Sequence, residues 1–569
     1  MSSPLISRFT ALAAVLALLP QTGHAQSLAY GDVSGESADA SGDASAPGGN
    51  TRTPRVKLTP YIEAQQVVFA ELQPGNEVVT YSIIAAGVDA AIRGRNNEGS
   101  VSVRYERRFG WGNNAQDSDA ISGLARFSSA VIPNTLSIEA GALAARNTIE
   151  NNGAALNNGL NFGDSVTQIY SVYAGPSLRT TVDDVQVSGS YRLGYSRVDS
   201  PDAIPVAAGQ PAIDLFDESV VHSAAIRAGT RPGDYLPVGV GVGAGYNRED
   251  ISNLDQRVED LHVRGDVTLP IGNDLSLVGG VGWEKVEVSS RDAVRDPITG
   301  DPVVGSDGRF VTDSSAPRVL AYQTEGLTWD AGVMWRPSRR TALEAHVGRR
   351  YGSTTYYGSF AYAPSARTSL NISVYDTVAG FGGQLNNALA NLPTQFETVR
   401  NPFSGNIGGC VQAEEAVSAG QGTCLNGALG GVRSAVFRSR GVSGSLAINA
   451  GRLSYGIGAG YDQRKFIAAP GTALAAANGV IDENIWLAAF LSGQIDRNSS
   501  FTTNAYANWY QAGDPLAGDT RGLGATAAYY RSITTKLTAT AAVGVDGVAR
   551  DNLVDIWSAQ ALVGVRYSF

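Results

Sequence analysis

Two stretches place a histidine among charged residues at every second position: Asp260-Leu-His262-Val-Arg264-Gly-Asp266, and Glu344-Ala-His346 followed by Arg350. In an extended chain residues i and i+2 point the same way, so each histidine shares a face with carboxylates and guanidinium groups. Such a face can move protons or hold a charged or hydroxyl-rich ligand. His346, Glu344 and Arg350 are therefore a candidate catalytic or binding cluster, with an ordinary polar lining as the alternative. The lining is the preferred reading, because no histidine has a partner at metal-ligand spacing and no Gly-x-Ser-x-Gly elbow accompanies one. No catalytic residue, metal or cofactor is assigned, and the chain is read as non-enzymatic. Cys410 and Cys424, the two cysteines, are read as a disulfide. A closed loop of about 15 residues would remove on the order of 3 kcal/mol of chain entropy from the unfolded state. The run Gly239-Val-Gly-Val-Gly-Ala-Gly245 superficially resembles a phosphate-binding loop, but its glycines alternate with Val and Ala at period two and read as strand.

Strands are what must position these residues, and the two ends of the chain say in which solvent. Arg8, the apolar stretch Ala11 to Leu19 and Gly23-His24-Ala25 form an export signal over residues 1–25. That stretch is shorter than the roughly 20 residues a spanning helix needs. Residues 26–56, rich in Gly, Ser, Ala and Asp, read as a disordered periplasmic lead-in. The last strand, Ile556 to Phe569, alternates an outward set (Trp557, Ala559, Ala561, Val563, Val565, Tyr567, Phe569) with an inward set (Ser558, Gln560, Gly564, Arg566, Ser568). It resembles the closing strand of a bacterial outer-membrane β-barrel, which implies that the barrel-assembly machinery reads Phe569. Outer-membrane lipid and lipopolysaccharide are the surroundings this reading implies. The composition, 67 Gly, 23 Tyr and 7 Trp with only 2 Met, suits strands and turns. A net charge of −10 argues against a nucleic-acid partner.

Counting by period two from Lys57 gives an all-β, antiparallel transmembrane barrel of about 22 strands, within a range of 18 to 24, over residues 57–569. Short turns are expected at Ile132–Asn134, Pro270–Asn273, Pro337–Arg340, Pro364–Arg367, Asn449–Arg452, Asp496–Ser500 and Ser532–Thr535. They alternate with long connections at Asn147–Asp164, Asp199–Glu218, Ser289–Pro317, Phe381–Val432 and Phe466–Glu483, the pattern of periplasmic turns and extracellular loops. The turns carry Arg93, Arg95, Arg179, Arg231, Arg339, Arg340, Arg367, Arg452 and Arg497. The opposite side carries Asp199, Asp202, Asp214, Asp217, Glu249, Asp250, Asp292, Asp296, Asp301 and Asp307. These charges are read as solvated and as marking orientation only. The long segment 381–432 either folds inward as a constriction or lies outside.

The stretch Trp329 to Gly380, with Val333-Met-Trp-Arg-Pro-Ser-Arg-Arg-Thr341, Gly348-Arg-Arg-Tyr-Gly352, Tyr356-Tyr-Gly-Ser-Phe-Ala-Tyr362 and Arg367-Thr-Ser-Leu-Asn-Ile-Ser-Val-Tyr-Asp376, resembles the outer-membrane β-barrels associated with exopolysaccharide and PEP-CTERM loci of Gram-negative bacteria. The motif is architectural: three strands joined by an Arg-rich turn and a Tyr-Gly turn. The resemblance implies a barrel whose neighbours make or export surface polysaccharide, and it transfers no functional residue. Similar sphingomonad chains are sometimes labelled as a preprotein translocase subunit, which would need a transmembrane helix. A TonB-dependent transporter would need a folded plug ahead of the barrel, and an autotransporter a passenger domain. The expected role is a pore or an export or surface component for polysaccharide or other hydrophilic solutes. The lumen would be lined by Arg104, Arg192, His262, Arg264, Asp266, Glu344, His346, Arg350, Asn371 and Arg566, a mixture without strong ion selection. The alternative is a structural or adhesive surface protein with an occluded barrel.

Overall fold

The computed structural model of the 569-residue chain describes residues 55–112, 117–150, 152–156, 166–199, 214–365, 367–413, 424–514, 517–551 and 553–569. The signal segment 1–25, the lead-in up to residue 54, and Asp202 lie outside the described residues. The barrel begins two residues earlier than expected, because Arg55 and Val56 already pair with Arg93 and Ile92.

The strands in chain order are β1 (Arg55–Gln73), β2 (Val78–Arg93), β3 (Asn97–Trp111), β4 (Ser118–Ile132), β5 (Leu136–Ile149), β6 (Ala155–Leu156), β7 (Val166–Val182), β8 (Val185–Asp199), β9 (Glu218–Gly229), β10 (Gly239–Ile251), β11 (Gln256–Pro270) and β12 (Leu275–Ser290). They continue as β13 (Val319–Ser338), β14 (Thr341–Arg350), β15 (Ser353–Ser365), β16 (Thr368–Ala379), β17 (Phe396–Arg400), β18 (Ile407–Ala413), β19 (Phe437–Ala450), β20 (Leu453–Phe466), β21 (Ile481–Gln494), β22 (Ser499–Gln511), β23 (Thr520–Ser532), β24 (Leu537–Arg550) and β25 (Ile556–Ser568). Apart from the two-residue β6 and the separate hairpin β17–β18, each strand pairs antiparallel with its sequence neighbours. Among the described residues this makes a ring of 22 strands. It closes where β1 pairs with β25, Tyr61 opposite Ser568 and Phe69 opposite Gln560. Closure removes the unpaired sheet edge that lipid cannot solvate.

Period-two alternation decides which face meets lipid. On β11, Leu261, Val263, Val267 and Leu269 are exposed on the outside, while Asp260 and Asp266 are buried within. On β25, Val563, Val565 and Tyr567 point out and Ser558 and Gln560 point in. Apolar outside and polar inside is the inverse of a soluble barrel, so lipid must contact the outer face. One rim carries the expected short turns, such as Gly451–Arg452, and both ends of the ring. The other carries the connection 291–318 between β12 and β13 and the connection 380–436 between β16 and β19. Among the described residues no helix is long and apolar enough to cross a membrane.

Candidate functional site

The described parts of the connection 380–436, residues 380–413 and 424–436, fold into the lumen and form a plug. It comprises the helix α1 (Phe381–Ala390), the hairpin β17–β18 and a short helix α2 (Asn426–Leu429). Helix α1 descends from the long-loop end, and Thr394 and Gln395 reach Glu98 (2.7 Å) and the Ile92 carbonyl (2.9 Å) beside the β2–β3 turn. The chain then climbs back along β3, where Arg400 donates to Ser102 and Ser122, both at 2.9 Å. The plug thus spans the full depth of the lumen. The Cys410–Cys424 disulfide, present as expected, ties its second half against Gly458 and Trp486 of the wall.

The wall holds this plug chiefly by its backbone. The helix begins at Gly380, whose side chain can cap nothing. Glu249 of β10 takes that role, accepting from the Gly380 N–H at 2.7 Å and the Gly383 N–H at 2.9 Å. At the other end Arg126 of β4 donates to the Ala390 carbonyl at 2.9 Å and the Leu392 carbonyl at 3.0 Å. An anion at the amino end and a cation at the carboxyl end satisfy orphan backbone groups and complement the helix dipole. Elsewhere Arg108 donates to the Phe403 carbonyl at 3.0 Å, and Arg464 to the Gly431 and Gly427 carbonyls at 2.7 and 2.8 Å.

Apolar contacts complete the fit. Phe403 is buried among the inward residues Val67, Tyr81, Ile83, Ala85, Ala528, Ala542 and Leu562. Phe381, Leu385 and Leu389 pack with Phe216, Ile251 and Val258. Over the long-loop end, Leu254, Ala293, Phe437, Phe466 and Leu474 form a further apolar cluster.

Beside the plug, along β7 to β16, lies a cavity of about 480 Å³. Its lining reaches from Arg179 and Arg336 near the short-turn rim to Arg350 and Asp376 toward the loops, with Gln384 and Asn387 of α1 on the plug side. Here the two histidine stretches meet. Asp330 receives Arg264 through two bonds of 2.7 Å and lies 3.1 Å from His346 Nδ1. His346 Nε2 is 3.2 Å from Glu344, and the ring stacks on Tyr357 at 4.7 Å. Asp266 pairs with Arg227 at 2.7 Å and Arg264 at 3.0 Å. Arg350 bonds Asp260 at 2.8 Å, Glu284 at 3.2 Å and His262 at 3.0 Å. Inward glycines give this network room: a Cβ on Gly280 would sit 2.5 Å from Arg264 Nε, and one on Gly245 would strike the His262 ring.

The other inward residues stand outside this ion-pair network, although Arg192 also lines the cavity. Arg104 is buried beneath the plug, paired with Glu106 and with Glu63 at 3.1 Å. Arg192 bonds Asn387 of α1 and lies 5.7 Å over Tyr173. Arg566 bonds Asp89 at 2.7 Å and lies 3.5 Å over Tyr61. Asn371 is buried on β16. The reading of the acidic outer residues as solvated is corrected at two positions. Glu249 is buried because it faces inward from β10 and caps α1. Asp214 is buried because Ser434 (2.5 Å), Phe310 N–H (3.3 Å) and Asn253 (3.4 Å) enclose it under the outer loops, and burial pushes its carboxyl up to about 6.

A closed antiparallel ring, apolar toward lipid and polar within, defines an integral β-barrel of the Gram-negative outer membrane, here with a plug drawn from its own connection. No family model matches the chain and no curated protein matches it. Among solved structures it is similar to the FrpB iron transporter of Neisseria meningitidis (F5-1 variant, apoprotein form), at 10% identity over 90% of this chain and 81% of that chain, with a TM-score of 0.41. It is similar to the ferric-catecholate import receptor Fiu of E. coli K12 in its open form, at 11% identity over 90% and 81%, with a TM-score of 0.40. Against OccAB1 of Acinetobacter baumannii the identity is 10% over 90% and 97%, with a TM-score of 0.28. Likenesses this low transfer no residue roles, and the fold rests on the strand pairing described above.

Proposed function

We propose that the barrel is a gated conduit for hydrophilic solutes, with polysaccharide as the favoured class, and that the plug 380–436 is its gate. The observation that carries this reading is the cavity of about 480 Å³ left beside the plug, with Arg264, Asp330, Glu344 and Arg350 in its lining. Buried ion pairs contribute little net stability, so stability alone does not account for the network of Asp260, Asp266 and Asp330 with Arg264 and Arg350 beside the plug. The paired Arg, Asp and His groups, with the hydroxyls of Ser359, Ser373 and Ser443 on the same lining, offer donors and acceptors that can replace the hydration of a sugar. The chain's resemblance to barrels of exopolysaccharide loci supports the same solute class, with proteins of an export system as partners. No residue is given a catalytic role.

The second reading, an occluded surface anchor, is favoured by the apolar cluster over the long-loop end. Single-channel recording of the refolded mature protein separates the two. A conduit shows openings that added oligosaccharide blocks. An anchor shows none at any voltage, from a barrel proved folded by its heat-modifiable mobility.

A further inference from the structure

Toward the long-loop end the ladder stops at two places while both strands run on. Between β4 and β5 the last pair is Gly123 with Ala144, although β4 starts at Ser118 and β5 continues to Ile149. The plug fills that gap. Asn406 bonds both the N–H and the carbonyl of Arg146, and Gln168 of β7 donates to the Ile121 and Ala145 carbonyls at 2.9 and 2.8 Å. Between β15 and β16 the last pair is Gly358 with Val374, which leaves residues 353–357 and 375–379 without pairing across the gap among the described residues. Here the cavity stands behind the gap, lined by Thr355 and Tyr357 from one edge and by Tyr375 and Thr377 from the other.

Side chains close this second seam from the outside. The turn Tyr351-Gly352, both residues at positive φ, pairs Arg350 with Ser353. Thr354, one residue on, therefore turns its backbone groups away from β14 toward β16. Arg440 of β19 reaches across β16 to the Thr354 carbonyl at 2.8 Å and the Ser353 hydroxyl at 3.2 Å, and Arg438 reaches the same hydroxyl at 2.6 Å. Asp376, on the strand between, holds both guanidinium groups, at 2.6 Å from Arg438 and 3.2 Å from Arg440. Tyr356 lies beside Arg440, while Tyr362 and Tyr455 stand nearer the short-turn rim, and all three are exposed on the outer wall. Aromatic girdles mark the two edges of a barrel's apolar band, so the seam sits at the outer edge of that band. Unpaired backbone groups are costly against lipid. Unlike a ladder, two arginine side chains can swing aside without unpairing a strand.

From this arrangement we infer that the β15–β16 seam is a lateral gate between the cavity and the outer leaflet, and that it takes a glycan carrying an acyl chain. The polar part lies in the cavity and the chain passes between the strands. The glycan class rests on the conduit reading; the seam rests on the strand pairing alone. A fully hydrated solute gains nothing from a side exit into lipid, whereas every methylene of an acyl chain favours that exit. Arg438 and Arg440 hold the gate shut through Asp376, Ser353 and Thr354.

The test is photolabelling of the full folded chain in phosphatidylcholine nanodiscs by a trace of dodecyl maltoside with a diazirine at the end of its chain. Mass spectrometry maps the labelled residues, and a phosphatidylcholine carrying the same diazirine is the control. The maltoside should label residues 353–357 and 375–379 at least about tenfold more than other strand segments at the same depth. Arg438→Gln with Arg440→Gln should raise that labelling further. Arg440→Gln alone serves if the double variant does not fold. Uniform labelling round the ring, or seam labelling unchanged in these variants, overturns the inference. Equal enrichment of the phospholipid probe at the seam would make it a bilayer-lipid site and also overturn it. Seam labelling without bilayer current would sink the conduit reading and leave the amphiphile site standing. Current without seam labelling would do the reverse.

Discussion

Replacing Glu249 with alanine should release the upper end of the plug. Glu249 makes two charge-assisted bonds, to Gly380 N–H at 2.7 Å and Gly383 N–H at 2.9 Å. Hydrogen bonds to a charged group contribute about 1.5–3 kcal/mol each, and the helix dipole adds about 0.3–1 kcal/mol. Even the low end, about 3 kcal/mol, changes a docked-to-undocked ratio on the order of 10²-fold. Glu249→Gln keeps one acceptor and should fall between the variant and the native protein. Arg126→Met removes the bonds at the other end of the same ten-residue helix. Because both residues hold one rigid element, the double variant should cost less than the sum of the singles. The assay is open probability in planar bilayers, paired with the rate of protease cleavage within 381–432. If Glu249→Ala and Arg126→Met both keep native closure and native protection, the wall does not hold the helix by its ends.

Three further outcomes follow from the same geometry. Gly280→Val should lower the urea midpoint of the barrel by an amount equivalent to about 1–3 kcal/mol, since its Cβ would lie 2.5 Å from Arg264 Nε; an unchanged midpoint would contradict the packing described. Replacing Cys410 and Cys424 together by serine opens a link spanning 14 residues. This should loosen the plug by about 3 kcal/mol in hydrogen exchange while leaving the barrel's heat-modifiable shift in place. The Asp214 carboxyl, raised by burial to about 6 from 3.8, binds more protons folded than unfolded between those values. The outer cap is therefore most stable at low pH and loses stability as pH rises through 6. Exchange protection of residues 214–217 and 433–436 should be about tenfold greater at about pH 5 than at about pH 7.5, a difference of about 1.4 kcal/mol. Asp214→Asn should abolish that slope.

The strands were legible because lipid imposes one rule on every turn of the ring. The expected turns at Ile132–Asn134, Pro337–Arg340 and Asn449–Arg452 fall between β4 and β5, β13 and β14, and β19 and β20. The plug was not legible in the same way. Helix α1 reads Phe381-Gly-Gly-Gln-Leu-Asn-Asn-Ala-Leu-Ala390, with no capping side chain of its own and no charge. Its cap, Glu249, stands 131 residues earlier, in the charged run Asn247 to Asp250 that looks like a loop. Period two counted from Gly239 turns Glu249 inward, so parity held the signal that composition hid. The same count exposes Leu562, an apolar residue on the inward set of the last strand. It breaks the polar pattern because it packs in the cluster that buries Phe403. Partners across the lumen, such as Asp330 with Arg264 and His346, depend on lateral register between strands, which period two within each strand does not encode.

Whether the plug closes an otherwise water-filled barrel is decided by the single-channel conductance of the mature protein beside that of a variant lacking 381–432, both verified as folded barrels. The native protein should show small or rare openings and the deletion large, stable, constantly open steps. Equal conductance in the two, or a folded deletion variant that passes no current, would contradict closure by the plug.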